Sequence, residues 1–269
     1  MALVNGAGDS VNGSTALLAP DERRVSIALN AGVDSPFLLL GDHAGRDIPR
    51  ALGDLGLPPA ELDRHIAWDI GVAGLGGRLS EALDAPFIRQ RFSRLVIDCN
   101  RDPARADAIP EVSDGAEIPG NRALSAAARE ARVAAIARPY HAAIAAELER
   151  RAQRGLTTTL ISLHSFTPRM NGFERPWRFG VLHAGDSRYS LAVLARLRGE
   201  LGEALVGDNQ PYRMDEVDFT VPLHAGGRGL DYLELEVRQD LLENPAGQAE
   251  VAAIVARLLP AALADIGGA

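Results

Sequence analysis

Residues 157–168, TTTLISLHSFTP, limit the fold more than any other part of the chain. Three threonines lead into Leu160, Ile161 and Leu163. A short run of β-branched and apolar residues reads as a strand covered by other elements. The run ends abruptly at His164, Ser165 and a turn closed by Pro168. Polar groups at the carboxyl end of a buried strand mark the place where open α/β sheets bind their ligands.

Three further stretches repeat the pattern. Residues 36–43, PFLLLGDH, end in Asp42 and His43, and residues 94–101, RLVIDCNR, end in Asp98, Asn100 and Arg101. Residues 231–240, DYLELEVRQD, place Leu233, Leu235 and Val237 on one face of a strand and Glu234, Glu236 and Arg238 on the other, because successive side chains alternate. Four such strands as neighbours would gather two histidines, several carboxylates and a guanidinium. That set can hold a metal and hydrolyse an anionic compound.

The intervening segments carry helical signals. Pro58-Pro59 with Glu61 opens a helix predicted to run to about Leu83, with or without a break, which puts His65 and Asp69 on one face, four apart. Residues 74–77, GLGG, fall inside it; they neither follow a strand nor spell GxGxxG, so close helix packing accounts for them. Residues 124–151 predict a long alanine-rich helix broken near Pro139, residues 187–205 an amphipathic one, and Asn244-Pro245 the start of a last helix to about Leu263. Shorter strands are expected at 25–31, 87–92, 178–183 and 220–223, and residues 102–122 read as a long loop, of a length that is usually either functional or disordered. Strands alternate with helices without a break in composition. The expectation is one α/β domain over residues 24–269, in three layers, with a mostly parallel or mixed central sheet flanked by helices. Residues 1–23, rich in Gly, Asn, Ser and Ala, read as a flexible arm.

Composition narrows the function classes. The formal charge is −8 with a pI near 5.3, and no basic run or basic-aromatic stripe occurs, which argues against nucleic acid. The single cysteine, Cys99, excludes an internal disulfide and fits a reducing compartment. No run reaches the roughly 18 apolar residues of a membrane span, and the N-terminus lacks the basic-then-apolar order of a secretory signal. The expected location is the cytoplasm.

Candidate chemistry follows from the strand ends. Neutral imidazole is a preferred zinc ligand, and catalytic zinc commonly takes three protein ligands; His43 and His164 at matching strand ends are the candidates, against two unrelated hydrogen-bonded histidines. Asp69 could complete such a site or orient a ligating histidine, and Asp42 and Asp47 are further carboxylates near it. Arg101 is a candidate clamp for a substrate carboxylate, against a structural ion pair with Asp98 or Asp102. Arg91 and Arg94 could polarise a carbonyl. Glu236, a charge in an apolar strand, needs a partner: it is either a proton carrier for metal-activated water or the partner of an arginine such as Arg238. His224, ahead of a glycine-rich turn, could touch substrate, and His183 ends a strand and could face the site. Tyr140 and His141 read as packing on a helix. No GxSxG or cysteine-nucleophile context favours acyl-enzyme chemistry.

Taken together, DHAGRDIP, HIAWDIGV, RFSRLVIDCNRDP, IPGN, PYH, LHSFTPRMNG, RPW and GLDYLELEVRQDLL resemble the N-formylglutamate amidohydrolase family over about residues 36–243. That family is similar in turn to the zinc carboxypeptidases and aspartoacylases. The resemblance implies a zinc-carboxypeptidase-like (phosphorylase/hydrolase-like) fold and hydrolysis of a small anionic N-acyl amino acid, foremost N-formyl-L-glutamate to formate and glutamate. It implies zinc, or another divalent metal, on His43 and His164, substrate-carboxylate binding by Asn100 and Arg101, and Glu236 as general base. One departure stands out. The carboxypeptidase pattern has a ligating Glu three residues after the first histidine; here that residue is Arg46, and Asp69 is the expected third ligand. The alternatives are a related metallohydrolase with another N-acyl substrate and a non-catalytic binder of acidic amino acids.

Overall fold

The computed structural model describes residues 16–185, 187–214 and 218–267. Most of the expected arm, residues 1–15, lies outside the described residues. The rest of it packs on the domain: Leu18 joins the core, and the buried Glu22 carboxylate accepts hydrogen bonds from the amides of Ala19 and Arg50.

The strands are β1 (Ser26–Leu29), β2 (Phe37–Gly41), β3 (Phe87–Gln90), β4 (Val112–Ser113), β5 (Ala116–Glu117), β6 (Thr159–Phe166), β7 (Arg169–Met170), β8 (Phe173–Glu174), β9 (Phe179–Leu182), β10 (Val206–Asp208) and β11 (Asp231–Arg238). Seven of them form a mixed sheet in the order β1-β3-β2-β6-β11-β9-β10, parallel except where β1 meets β3 and β9 meets β11. Strands β4–β5 and β7–β8 are small hairpins outside it. The helices are α1 (Pro59–Leu62), α2 (Val72–Ala82), α3 (Ala126–Arg132), α4 (Arg138–Gln153), α5 (Arg188–Leu201), α6 (Thr220–His224) and α7 (Pro245–Gly267). A π turn, Val133–Ala137, links α3 to α4 just ahead of Pro139.

Alternation along the strands divides the core into two layers. Leu38, Leu40 and Leu160 pack with Ile136, Tyr140 and Ile144 of the α3–α4 side. Leu39, Ile161, Leu163, Leu233 and Leu235 pack with α2, α5 and α7 on the other. Each fully buried Leu or Ile contributes about 1.5–3 kcal/mol, so the centre of the sheet is its most stable part. Parity also places Ser162, His164, Glu234 and Glu236 on the face that Leu160 shares with α4. Among the described residues no helix is long and apolar enough to cross a membrane.

The GLGG stretch is a packing device. A Cβ on Gly76 of α2 would stand 2.2 Å from the Phe87 ring, and one on Gly74 would stand 2.0 Å from Gln248 of α7. Phe87 is fully buried in the sheet and has nowhere to move. Gly76→Ala is therefore expected to cost about 1–3 kcal/mol through overpacking, read as a lower urea midpoint with unchanged m-value; an unchanged midpoint would refute it. Asn244 caps α7, its Oδ1 accepting from the amides of Ala246 and Gly247.

Three expected elements are corrected. Residues 94–99 are not a strand. Leu95, Val96 and Ile97 are buried, but no neighbouring strand takes their backbone groups, and the chain there is an irregular loop. The helix expected over 58–83 is two helices. Between them Asp69 N–H donates to His43 O, while Ala67 O accepts from the hydroxyl of Ser93 and the amide of Arg94. These bonds replace the helical ladder, so the i,i+4 relation of His65 and Asp69 does not hold. Residues 220–223 are helical within α6, not a strand.

Candidate active site

The cleft lies at the carboxyl ends of β2, β6 and β11 and encloses about 340 Å³, within the range of small-molecule sites. His43 follows β2 directly, and His164 sits near the end of β6. Asp69 is held in the turn before α2, which starts after Gly71 in the left-handed region (φ 81°). The Asp69 Oδ2 atom is 3.0 Å from His164 Nδ1 and 3.5 Å from His43 Nδ1. One donor atom from each residue lies within 4.8 Å of the others. His43 Nδ1 is buried without a hydrogen-bond partner.

The far side of each imidazole is pinned. His43 Nε2 is 2.7 Å from Asp98 Oδ1, and His164 Nε2 is 3.0 Å from Ser162 Oγ and 3.5 Å from Asp42 Oδ2. An Nε2–H donated outward leaves Nδ1 as the lone-pair face turned inward, the arrangement of metal-ligating histidines. Two imidazoles and a carboxylate form a donor set suited to zinc. The residues present fit a divalent cation.

Electrostatics agree with a site built for positive charge. Burial pushes the Asp69 carboxyl up, yet His43 and His164 hold it well below the usual carboxylate range. Burial likewise opposes charge on Asp42, and His164 keeps it at about 2. Burial opposes the imidazolium forms, but Asp98 and Asp69 raise His43, and Asp42 and Asp69 raise His164 well above its ordinary value. Both metal-free imidazoles thus hold a proton more tightly than a free histidine, and a cation entering must compete with protons. Zinc affinity is expected to rise with pH and proton release to accompany uptake. Calorimetry in buffers of different ionisation enthalpy would show it, and buffer-independent heats would refute it.

Glu236 pairs in register with His164 and is buried; its Oε2 has no hydrogen-bond partner. Burial, with Asp69 and Asp218 adding to it, raises the group to about 7 despite His164. No ion pair joins it to Arg238, whose guanidinium takes Asp240. Arg94 donates to Asp98 (2.6 Å) and Asp69 (3.3 Å) and lines the cleft; these carboxylates keep it charged against burial. Asp98 therefore orients both a candidate ligand and Arg94.

Asn100 and Arg101 also reach the cleft, but Asn100 is largely committed. Its Oδ1 accepts from the amides of Phe219 and Thr220, and its Nδ2 donates to Asp218. Arg101 lies 3.7 Å from Asp107 Oδ2 at the rim and donates to Asn100 O. Two expected substrate contacts are corrected. Arg91 is turned away to Asp47 and Asp21 O, because the chain reverses at Ser93. His224 lies behind the cleft, 3.1 Å from His141 Nδ1, because α6 is a helix whose buried side faces α4. His183 pairs with Asp208. Arg46 points outward to Asp63 and lies over Trp68.

The loop of residues 93–101 owes its shape to remote side chains. Leu95 O accepts from Asn121, Val96 O from Arg132, and Cys99 O pairs with His141 and Thr220. Asp218, Glu234 and Tyr212 line the cleft without having been singled out; only Glu234 carried a readable signal, two residues before Glu236 on one strand face.

The sequence model of the N-formylglutamate amidohydrolase family matches residues 35–243, most of the chain. The chain belongs to this family. Membership makes it an amidohydrolase. A gene product of Agrobacterium tumefaciens, Atu2144, is similar at 37% identity and a TM-score of 0.89, over 93% of this chain and 99% of that one. The N-formylglutamate amidohydrolase of Ralstonia eutropha JMP134, at 21% identity, shares the fold with a TM-score of 0.64 over 91% of this chain and 99% of that one. No curated protein matches the sequence.

Proposed function

We propose that the chain hydrolyses the amide of a small N-acyl amino acid with the help of a divalent metal, N-formyl-L-glutamate being the reference substrate that the family name supplies. The observation that carries this reading is the convergence of His43 Nδ1, Asp69 Oδ2 and His164 Nδ1 beside the buried, unpartnered Glu236. A divalent cation held by these three residues would supply a Lewis acid for the acyl carbonyl and acidify an attacking water.

The chain's own residues do the rest. Glu236, poised at about 7, takes a proton from the water as its oxygen bonds to the acyl carbon, and returns it to the nitrogen as the C–N bond breaks. Arg94 donates to the developing oxyanion. Arg101 holds the α-carboxylate and fixes the register of the amide. Asp98 keeps Arg94 and His43 in their orientations.

The test is release of formate from N-formyl-L-glutamate and related N-formyl amino acids by purified protein, with zinc and with a chelator. Release that the chelator stops and zinc restores supports the reading. Release indifferent to the chelator would overturn the metal's part, and no release from any of them would overturn the reaction.

A further inference from the structure

Tyr212 lines the cleft beside Phe166, Thr167 and Met170, and Arg175 stands behind it. This arginine is 8% exposed, and its amide donates to Pro168 O. Its guanidinium lies over the Phe166 ring, 5.7 Å from the centroid, and over the Tyr212 ring at 4.9 Å. Nη1 donates to Thr167 O (3.2 Å) and Tyr212 Oη (3.3 Å), and Nη2 to Met170 Sδ (3.2 Å). All three acceptors are neutral, whereas a buried cation usually meets a carboxylate. A guanidinium can only donate, so Tyr212 Oη is the acceptor and its own hydrogen must point elsewhere. Among the described residues no acceptor takes that hydrogen; Arg175 is the partner of the phenol. A hydroxyl that accepts from a cation is also a stronger donor, because chained hydrogen bonds polarise one another. Burial raises the ionisation of the phenol above its ordinary value, Glu236 adds to the rise, and Arg175 and Arg94 oppose it. The phenol therefore keeps its hydrogen at neutral pH. Arg94 feels Tyr212 in return. Glu236 and Arg94 are the two groups that the proposed reaction sets at the acyl carbon.

We propose that Tyr212 donates its hydroxyl hydrogen to the acyl oxygen of the substrate, beside Arg94, and that Arg175 is a positioning residue that aims and polarises this hydroxyl. The inference rests on the amide-hydrolysis reading above and adds a second donor to it. As the water oxygen bonds to the acyl carbon, the carbonyl π electrons move onto the acyl oxygen. A donor already fixed there meets the charge where it develops. The hydroxyl tightens its bond and keeps its proton, and Glu236 remains the proton carrier. Through Thr167 and Met170, Arg175 also ties the Tyr212 segment to the one that follows His164, so the donor is set relative to the strand that carries the metal-site histidine.

The experiment compares Tyr212→Phe with the unaltered chain, both zinc-loaded, on N-formyl-L-glutamate and on the related N-formyl amino acid turned over fastest. In Tyr212→Phe kcat is expected to fall by roughly 10²-fold with KM nearly unchanged, the pattern of a contact made only in the transition state. Calorimetry should give the two proteins the same affinity for L-glutamate. Full activity in Tyr212→Phe would overturn the proposal. So would a raised KM with kcat unchanged, or a matching loss of L-glutamate affinity, either of which would make Tyr212 an anchor for the departing amino acid. Arg175→Met should lower kcat in the unaltered chain but add little in Tyr212→Phe, and Arg175→Lys should recover part of the loss. Losses that multiply would overturn the part given to Arg175, because a purely structural arginine costs the same in both backgrounds. Should the unaltered chain release formate from none of the compounds, the reaction reading falls and the donor with it; activity of the unaltered chain that Tyr212→Phe keeps in full sinks the donor alone.

Discussion

Replacing Glu236 with glutamine is expected to lower kcat by about 10²–10⁴-fold, the usual contribution of a positioned general base, while leaving zinc content unchanged. The same substitution should make the metal-free protein more stable at pH 8. Burial raises the carboxyl from 4.5 to about 7 in the fold. A group raised in this way favours the folded state fully only below its unfolded value of 4.5, and that advantage is lost as pH rises through 7. Ionised Glu236 thus costs the metal-free fold about 3 kcal/mol at high pH, which glutamine removes. Urea melts should show the gain at pH 8 and its decline toward zero as pH approaches 4.5. A variant that keeps full activity, or one that is less stable at pH 8, would refute the role given to this residue. Opposite signs for activity and stability are the mark of a group retained for function.

Asp69→Asn is expected to have the second large effect. The carboxylate faces both imidazoles, accepts the Ser165 amide at 3.1 Å and meets Arg94. Asparagine keeps the shape but offers a neutral oxygen. Zinc affinity should fall by more than the roughly 10–100-fold typical of losing an orienting partner, and turnover should fall with it. Asp98→Asn, which loosens only the back of His43 and the Arg94 pair, should stay within that smaller range. Competition with a chromophoric chelator separates the two. Equal losses in both variants would mean that Asp69 orients the histidines and does not ligate.

The strands that carry the cleft were legible because their pattern is local. Parity along residues 231–238 put Glu234 and Glu236 on one face, and the apolar runs before His43 and His164 read directly as β2 and β6. Residues 94–99 misled for a definite reason: an apolar run reports burial, and loops bury Leu95, Val96 and Ile97 as completely as a sheet would. The helical spacing that points to Asp69 does not exist; what places the residue is the hydrogen bond its backbone N–H donates to His43 O, a contact between segments. The same holds for Asp98, whose bonds to His43 and Arg94 depend on a reversal at Ser93. Arg91 and Arg94 looked equivalent in sequence, yet that reversal sends one outward and the other into the cleft. Groups that meet only through the fold, as the carboxyls of Asp218 and Glu234 do, have no sequence spacing to reveal them.

The side chains that hold the 93–101 loop come from far along the chain: Asn121 lies 26 residues from Leu95, Arg132 36 from Val96, His141 42 from Cys99 and Thr220 121 from it. Closing such long loops costs entropy before any contact repays it, and distant contacts form late and slowly. The cleft is therefore among the last parts of the molecule to assemble on folding. His43, Asp69 and His164, drawn from segments up to 121 residues apart, offer no joint chelate while the chain is partly folded. On the proposed function, a nascent or refolding chain would not trap a metal ion at this site, and loading would wait for the finished fold.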